Sequence, residues 1–272
     1  MPLTTTLVAI ILGIVEGLTE FLPISSTGHL IVADHILKFQ DLLASADKAE
    51  LFEIVIQLGA ILAVGALFRK RLLSTISKSA TGAKLRINLL LAFLPAAVIG
   101  FATHHFIKEH LFAPVPVAIT LIIGGIAIIL IEKKTADDKR TMTVDTMTTK
   151  DAIVVGLWQS LSLIPGTSRA AATIMGGMLH GIKRASATEF SFLLAFPTMI
   201  AASAYELIKY RHLLTTDMLG VLGLGFITAF IVALAVVAWL VRFVQRHSFV
   251  SFGIYRILFG ALILLLVVFR DL

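Results

Sequence analysis

Apolar residues run through this chain in stretches longer than a soluble core requires, and polar residues collect between them. Leu51–Phe68, Ile87–Ile107, Val115–Ile131, Phe190–Ile208, Leu219–Val241 and Val250–Phe269 each approach the roughly 20 apolar residues of a membrane-spanning helix. The pattern predicts six such helices, with Pro95 marking a kink in the second. Two stretches break it. Leu7–Leu22 is apolar apart from Thr19 and two glutamates, and is followed by a short apolar piece, His29–Leu37. Ala152–Ile164 and Ala170–Leu179 flank a second polar tip, Pro165-Gly166-Thr167-Ser168-Arg169.

Composition agrees with membrane insertion. Of 272 residues, 58% are hydrophobic and 15% charged, against about 25% charged in a soluble domain. The lack of cysteine removes disulfides, thiolate metal sites and cysteine nucleophiles. No Lys or Arg precedes Lys38, so the basic region of a signal peptide is missing. The net charge of +6 does not indicate nucleic acid, because the basic residues sit in loops between spans, where they set orientation.

The halves read as an internal repeat. Gly13-Ile14-Val15-Glu16 aligns with Gly156-Leu157-Trp158-Gln159, and Pro23-Ile24-Ser25-Ser26 with Pro165-Gly166-Thr167-Ser168. Each broken segment precedes a span that opens with a glutamate, Glu53 or Glu189. Paired interrupted segments point to a site near the membrane midplane. Non-helical backbone at that depth is tolerated only inside protein or a wet cavity, so both segments are read as re-entrant. Three crossings per half then invert one half against the other. The expectation is an all-α polytopic membrane protein: an inverted-topology repeat with six transmembrane helices and two re-entrant helical hairpins. Residues 1–131 form the first repeat, 132–150 a cytoplasmic connecting loop and 151–272 the second repeat. The N-terminus, the Phe39–Glu50 loop and the C-terminus face outward, the Arg69–Arg86 loop faces the cytoplasm, and the two tips meet near the middle.

Both tips carry chemistry. Glu16 and Glu20 are one turn apart and share a helix face. Charge at membrane depth costs about 2.5–3.5 kcal/mol per group on insertion scales, which makes such residues functional candidates. The two carboxylates suit a hard divalent cation, Mg2+ or Ca2+, with Glu20, nearer the loop, the favoured ligand. Alternatively, one of them pairs with Arg169 or Arg256 to offset buried charge. Ser25, Ser26 and Thr27 offer hydroxyls, or simply cap the following helix. His29 is placed to serve as general base for a serine or to attack phosphorus itself. Arg169 offers a planar fork for phosphate, and Ser168, with backbone N–H groups opening the next helix, adds donors for an anion. Thr173 lies one turn on. Acids with a metal on one tip and an arginine with an anion nest on the other spell phosphoryl transfer.

At these residues the chain resembles the bacitracin-resistance type of undecaprenyl-diphosphate phosphatase. Glu16-Gly17-Leu18-Thr19-Glu20 matches that family's E-x-x-x-E, Phe21 to His29 match F-L-P-[IV]-S-S-T-G-H, and Pro165 to Thr173 match P-G-x-S-R-S-x-x-T. Ala170 stands where the family has serine, so no role is carried onto it. Phe52 to Gly59, Glu189 to Ala195 and Ile254-Tyr255-Arg256 extend the likeness over nearly the whole chain. The resemblance implies a multi-pass enzyme of the bacterial inner membrane, its site toward the periplasm. Its implied reaction is metal-dependent hydrolysis of undecaprenyl diphosphate to the monophosphate, which recycles the lipid carrier for cell-wall synthesis and confers bacitracin resistance. It also implies metal and acid/base roles for Glu16 and Glu20, nucleophile machinery at Ser26 and His29, and a grip on the diphosphate by Arg169, Ser168 and Thr173. The expected partners are the polyprenyl diphosphate and membrane lipids, not nucleic acid, with a homodimer held open. A transporter or flippase of isoprenyl phosphates and a non-catalytic lipid-phosphate binder are the competing readings. The dipeptide Arg-Pro of the other membrane lipid-phosphatase class does not occur.

Overall fold

A computed structural model describes residues 3–135 and 140–269. Residues 136–139 of the expected connecting loop, Lys139 included, and the two chain ends lie outside the described residues. The described chain is helical: α1 (Leu3–Thr19), α2 (Ser26–Leu37), α3 (Phe39–Leu43), α4 (Ala46–Leu67), α5 (Arg69–Ile76), α6 (Ala80–His110), α7 (Pro114–Lys134), α8 (Thr149–Gln159), α9 (Arg169–Leu179), α10 (Arg184–Lys209), α11 (Thr216–Phe243) and α12 (Val250–Val268). Six of these, α4, α6, α7, α10, α11 and α12, are long and apolar enough to cross a membrane. The protein is thus an all-α, multi-pass membrane protein, and each expected span falls on one of the six. Their outward faces carry Leu90, Leu94, Val98, Ile123 and Leu258, all exposed, as lipid rather than water would require.

The other helices of the two broken segments are short. The 17 residues of α1 reach about 26 Å at 1.5 Å per residue, less than the roughly 30 Å hydrocarbon core. The 12 of α2 and the 11 each of α8 and α9 reach less still. The α8–α9 pair starts and finishes at one end of the molecule: Asp151, in the first turn of α8, accepts a 2.8 Å hydrogen bond from His180, just past α9.

Matching pairs of helices join the halves, and α11 also lies along α4 much more extensively than α6 does along α10. Helix α1 lies on α11 and α8 on α6, while α4 meets α10 and α7 meets α12. Glycine permits both of the first two approaches. A Cβ on Gly13 would sit 2.7 Å from the Gly225 carbonyl oxygen, and one on Gly156 would strike the Ala92 backbone. The largest apolar core joins Phe21, Phe190, Phe192 and Phe249 with residues of α4, α6 and α9.

Three connections are more ordered than their polarity predicts. The Phe39–Glu50 stretch holds α3 and the start of α4, because Ser45 caps α4 by accepting from the Lys48 N–H at 3.3 Å. The Arg69–Arg86 stretch contains α5 and the first turns of α6. Glu132, expected to open the connecting loop, is instead a buried residue of α7. Its carboxylate accepts from Arg184 Nε at 3.0 Å, Arg184 Nη2 at 2.6 Å and the Phe249 N–H at 2.8 Å, tying α7 to α10 and α12.

Candidate active site

Each tip is built on the same unusual backbone. Helix α1 stops at Thr19, and the chain turns through Glu20 to Ile24 before Ser25 caps α2 with φ 70° and ψ 105°. Helix α8 tightens into a 3-10 turn, Ser160–Leu163, before Ser168 caps α9 with φ 69° and ψ 119°. Positive φ in a residue with a side chain costs of order 1–3 kcal/mol and persists only where its surroundings enforce it. The matching caps correct the repeat alignment. Ser25, not Ser26, corresponds to Ser168, so the tips align without a gap: Glu16 with Gln159, Ser25 with Ser168, and Ser26 with Arg169. The proline, used as the anchor in the sequence, sits one residue further from the cap in the second tip.

What holds the tips together is Arg256 of α12, fully buried. It does not pair with a glutamate, as one reading of the sequence had it. Its Nη1 donates to the carbonyls of Pro23 (3.1 Å) and Thr167 (2.8 Å), its Nη2 to those of Gly166 (2.9 Å) and Thr120 (3.2 Å), and its Nε to that of Leu121 (3.3 Å). One guanidinium thereby satisfies carbonyls from both non-helical tips, which have no ladder of their own to join.

The reactive groups converge where the tips meet. Ser26 donates its hydroxyl to Oε2 of Glu20 at 2.6 Å, and Arg169 Nη2 donates to Oε1 at 3.2 Å. The side chains of Glu20 and Arg169 are 8% and 9% exposed, so this ion pair is shielded from water and from screening. The ion pair thus falls on Glu20, the glutamate the sequence favoured for metal. Arg169 Nη1 donates to the Ser191 carbonyl at 3.3 Å, and its buried Nε has no partner. Both oxygens of Glu16 are likewise buried without a partner.

Two adjoining cavities open on these groups. The smaller, about 250 Å3, is lined by Glu20, Ser25, Ser26, Thr27, Ser168 and Arg169 among others. The larger, about 660 Å3, has Glu16, Ser26, Thr27, Glu50, Glu53 and Lys108 in its wall. Ser26, Thr27, Gln57 and Ser162 line both. Neither Gln57 nor Ser162 is among the site residues expected from the sequence. Gln57, four residues after Glu53 in a span, carried a signal; Ser162, in a short 3-10 turn, carried none.

Two expected site residues face elsewhere. His29 Nδ1 lies 2.7 Å from the Ser25 carbonyl and Nε2 lies 2.7 Å from the Tyr255 hydroxyl, with the Phe259 ring stacked at 4.2 Å. A carbonyl only accepts, so Nδ1 holds a proton, and in the neutral ring Nε2 accepts from tyrosine. Thr173 bonds Ser191 Oγ at 2.6 Å and lines neither cavity; it buttresses the strand of contacts that receives Arg169. Ala170 is fully buried, so the missing family serine leaves no gap in either cavity wall.

Fold and site together define a multi-pass membrane protein with a serine, a carboxylate and an arginine gathered at an internal cavity. Comparison with known proteins specifies the family. Residues 9–262 match the family described as Bacitracin resistance protein BacA. An undecaprenyl-diphosphatase of Methylobacillus flagellatus is 48% identical over 97% of this chain and 98% of its own length. One of Dechloromonas aromatica is 51% identical over 94% and 92%, and undecaprenyl-diphosphatase 2 of Rhodospirillum rubrum is 49% identical over 97% and 96%. The chain belongs to the bacitracin resistance protein BacA family.

Proposed function

We propose that this chain hydrolyses undecaprenyl diphosphate to undecaprenyl phosphate and inorganic phosphate, returning the lipid carrier to cell-wall synthesis and so conferring resistance to bacitracin. The observation that carries the reading is the Ser26 hydroxyl on Glu20, with Arg169 on the other carboxylate oxygen. In this reading Glu20 takes the Ser26 proton as Oγ attacks the terminal phosphorus. The bond from that phosphorus to the bridging oxygen breaks, and undecaprenyl phosphate leaves. Glu20 passes that proton to the departing phosphate; as a carboxylate again it takes a proton from the water that attacks the phosphoserine, and returns it to Ser26 Oγ as inorganic phosphate leaves. Arg169, whose Nε–H is unused, transfers its fork from Glu20 to the phosphoryl oxygens as charge builds there. Ser25, Thr27 and Ser168 line the cavity that would take the headgroup, while His29 and Thr173 hold the tip and the arginine rather than the substrate.

A divalent cation, Mg2+ or Ca2+, fits the donor set: the Glu16 carboxylate is buried, lines the larger cavity and has no partner. Among the described residues no three His, Asp or Glu side chains are grouped to hold an ion alone, so substrate oxygens would complete its shell, as is usual for Mg2+. The bound ion would neutralise diphosphate charge.

The topology we infer has both short helix pairs re-entrant, in repeats 1–131 and 151–272 of opposite sense, joined by the cytoplasmic segment 132–150. The common end of α8 and α9, the length of α1 and the matching helix pairs support it. The chain would sit in the bacterial inner membrane. Glu50 and Lys108, at the mouth of the larger cavity, are on the side placed toward the periplasm. The test is phosphate release from a C55 or C15 isoprenyl diphosphate by purified protein with and without EDTA. Metal-dependent release supports the enzyme; none from folded protein returns the reading to transport or binding.

A further inference from the structure

The larger cavity presents four carboxylates, Glu16, Glu50, Glu53 and Glu206. Two are neutralised where they stand: Glu50 pairs with Lys108 at 2.6 Å and Glu206 with Lys209 at 3.4 Å. Glu16 and Glu53 are not. The Glu16 oxygens are buried without a donor, Glu16 is 1% exposed, and the charge of Glu53 acts on it. The charged groups acting on Glu53 are themselves acidic, Asp34 and Glu50. Arg169, the cation whose charge acts on Glu16, spends its Nη groups on Glu20 and the Ser191 carbonyl.

Packing does not demand the charge at Glu16. At the equivalent place in the second tip Gln159 is fully buried, so the fold accepts a neutral side chain of that shape. Two unpaired carboxylates in the wall of a cavity suited to an anionic headgroup would repel it. A hard cation between them removes that conflict, and carboxylate and amide oxygens are its preferred donors. Gln57, one turn after Glu53 on α4, brings an amide to the same wall and also lines the smaller cavity.

We infer that Glu16 and Glu53, with the Gln57 amide oxygen beside them, form the divalent-cation site, and that Glu20 is not a ligand because Ser26 and Arg169 occupy its oxygens. The site bridges α1 and α4 and lies between the outer mouth and the tips. It rests on the phosphatase reading only for the substrate oxygens that complete the shell.

The test is Mn2+ binding to detergent-purified protein, followed by the EPR signal of free Mn2+, alone and with a non-hydrolysable isoprenyl methylenediphosphonate. Glu16→Gln and Glu53→Gln should each raise the Mn2+ dissociation constant by at least about tenfold, and Glu20→Gln should leave it unchanged. Glu53→Ala replaces Glu53→Gln should the latter not fold. Wild-type affinity in a folded Glu53 variant, loss of binding in Glu20→Gln, or no saturable Mn2+ in either condition overturns the site. Phosphate release is assayed on the same samples. A protein that binds Mn2+ through Glu53 but releases no phosphate would keep the site and lose the phosphatase reading, and an active one indifferent to Glu53 would do the reverse.

Discussion

Ser26 aims its hydroxyl at Oε2 of Glu20 from 2.6 Å, across the turn that separates α1 from α2. The turn, not the helices, sets this distance: the cap at Ser25 is held at φ 70°, and the Pro23 carbonyl is pinned by Arg256. The proposed nucleophile and its base are thus brought together by a turn that has no regular structure of its own.

Ser26→Ala should lower phosphate release by at least about a hundredfold, the usual contribution of a positioned acid–base partner. With substrate labelled in the terminal phosphate, acid-quenched wild-type protein should carry label and the variant none. Label retained in Ser26→Ala would place the nucleophile elsewhere.

His29→Ala and Tyr255→Phe should be milder, no more than about tenfold each. Both ring nitrogens of His29 are engaged, by the Ser25 carbonyl and the Tyr255 hydroxyl, and the ring lines neither cavity. A loss in His29→Ala equal to that in Ser26→Ala would restore histidine as the base.

Arg256→Met should destabilise the protein by more than about 2 kcal/mol, because several buried carbonyls lose a charged donor at once. Thermal unfolding in detergent should show the melting temperature and the activity falling together. Unchanged melting with lost activity would mean that Arg256 touches substrate instead.

The start of α8 gives a pH-dependent term. Burial pushes the Asp151 carboxyl up, but hydrogen bonds from the Thr148 N–H and hydroxyl and from His180 more than offset this, leaving it below the usual aspartate value of 3.8. A lowered folded value means that its stabilisation is complete above the unfolded pKa and is lost as pH falls through the folded one. Asp151→Asn should therefore cost about 1 kcal/mol at pH 7, the size of a cap, and the gap from wild type should narrow as pH falls below the usual aspartate value and close once Asp151 is protonated in the folded state. A gap that persists there would contradict the assignment.

Much of this was legible in the sequence, for a physical reason. Six apolar spans and two polar interruptions are one-dimensional signals, and Glu16, Glu20, Ser26 and Arg169 stand out because charge and hydroxyls are costly among Leu and Ile. Pairing is not one-dimensional. Nothing in the order of residues says that Arg169 takes Glu20 and leaves Glu16 bare, or that Arg256 answers carbonyls instead of carboxylates. The repeat register slipped by one residue because proline looked like the fixed point, while the fold fixes the left-handed serine cap. Glu132 read as loop because its partners, Arg184 and the Phe249 N–H, lie far along the chain.

The most direct measurement of the central claim is single-turnover phosphate release by Glu20→Gln beside wild type, with each protein shown to be folded. Glutamine keeps the shape, loses the base and leaves Arg169 without its carboxylate. The account predicts a loss of about a hundredfold or more, with EDTA abolishing what the wild type releases. Release near the wild-type rate from Glu20→Gln would contradict it.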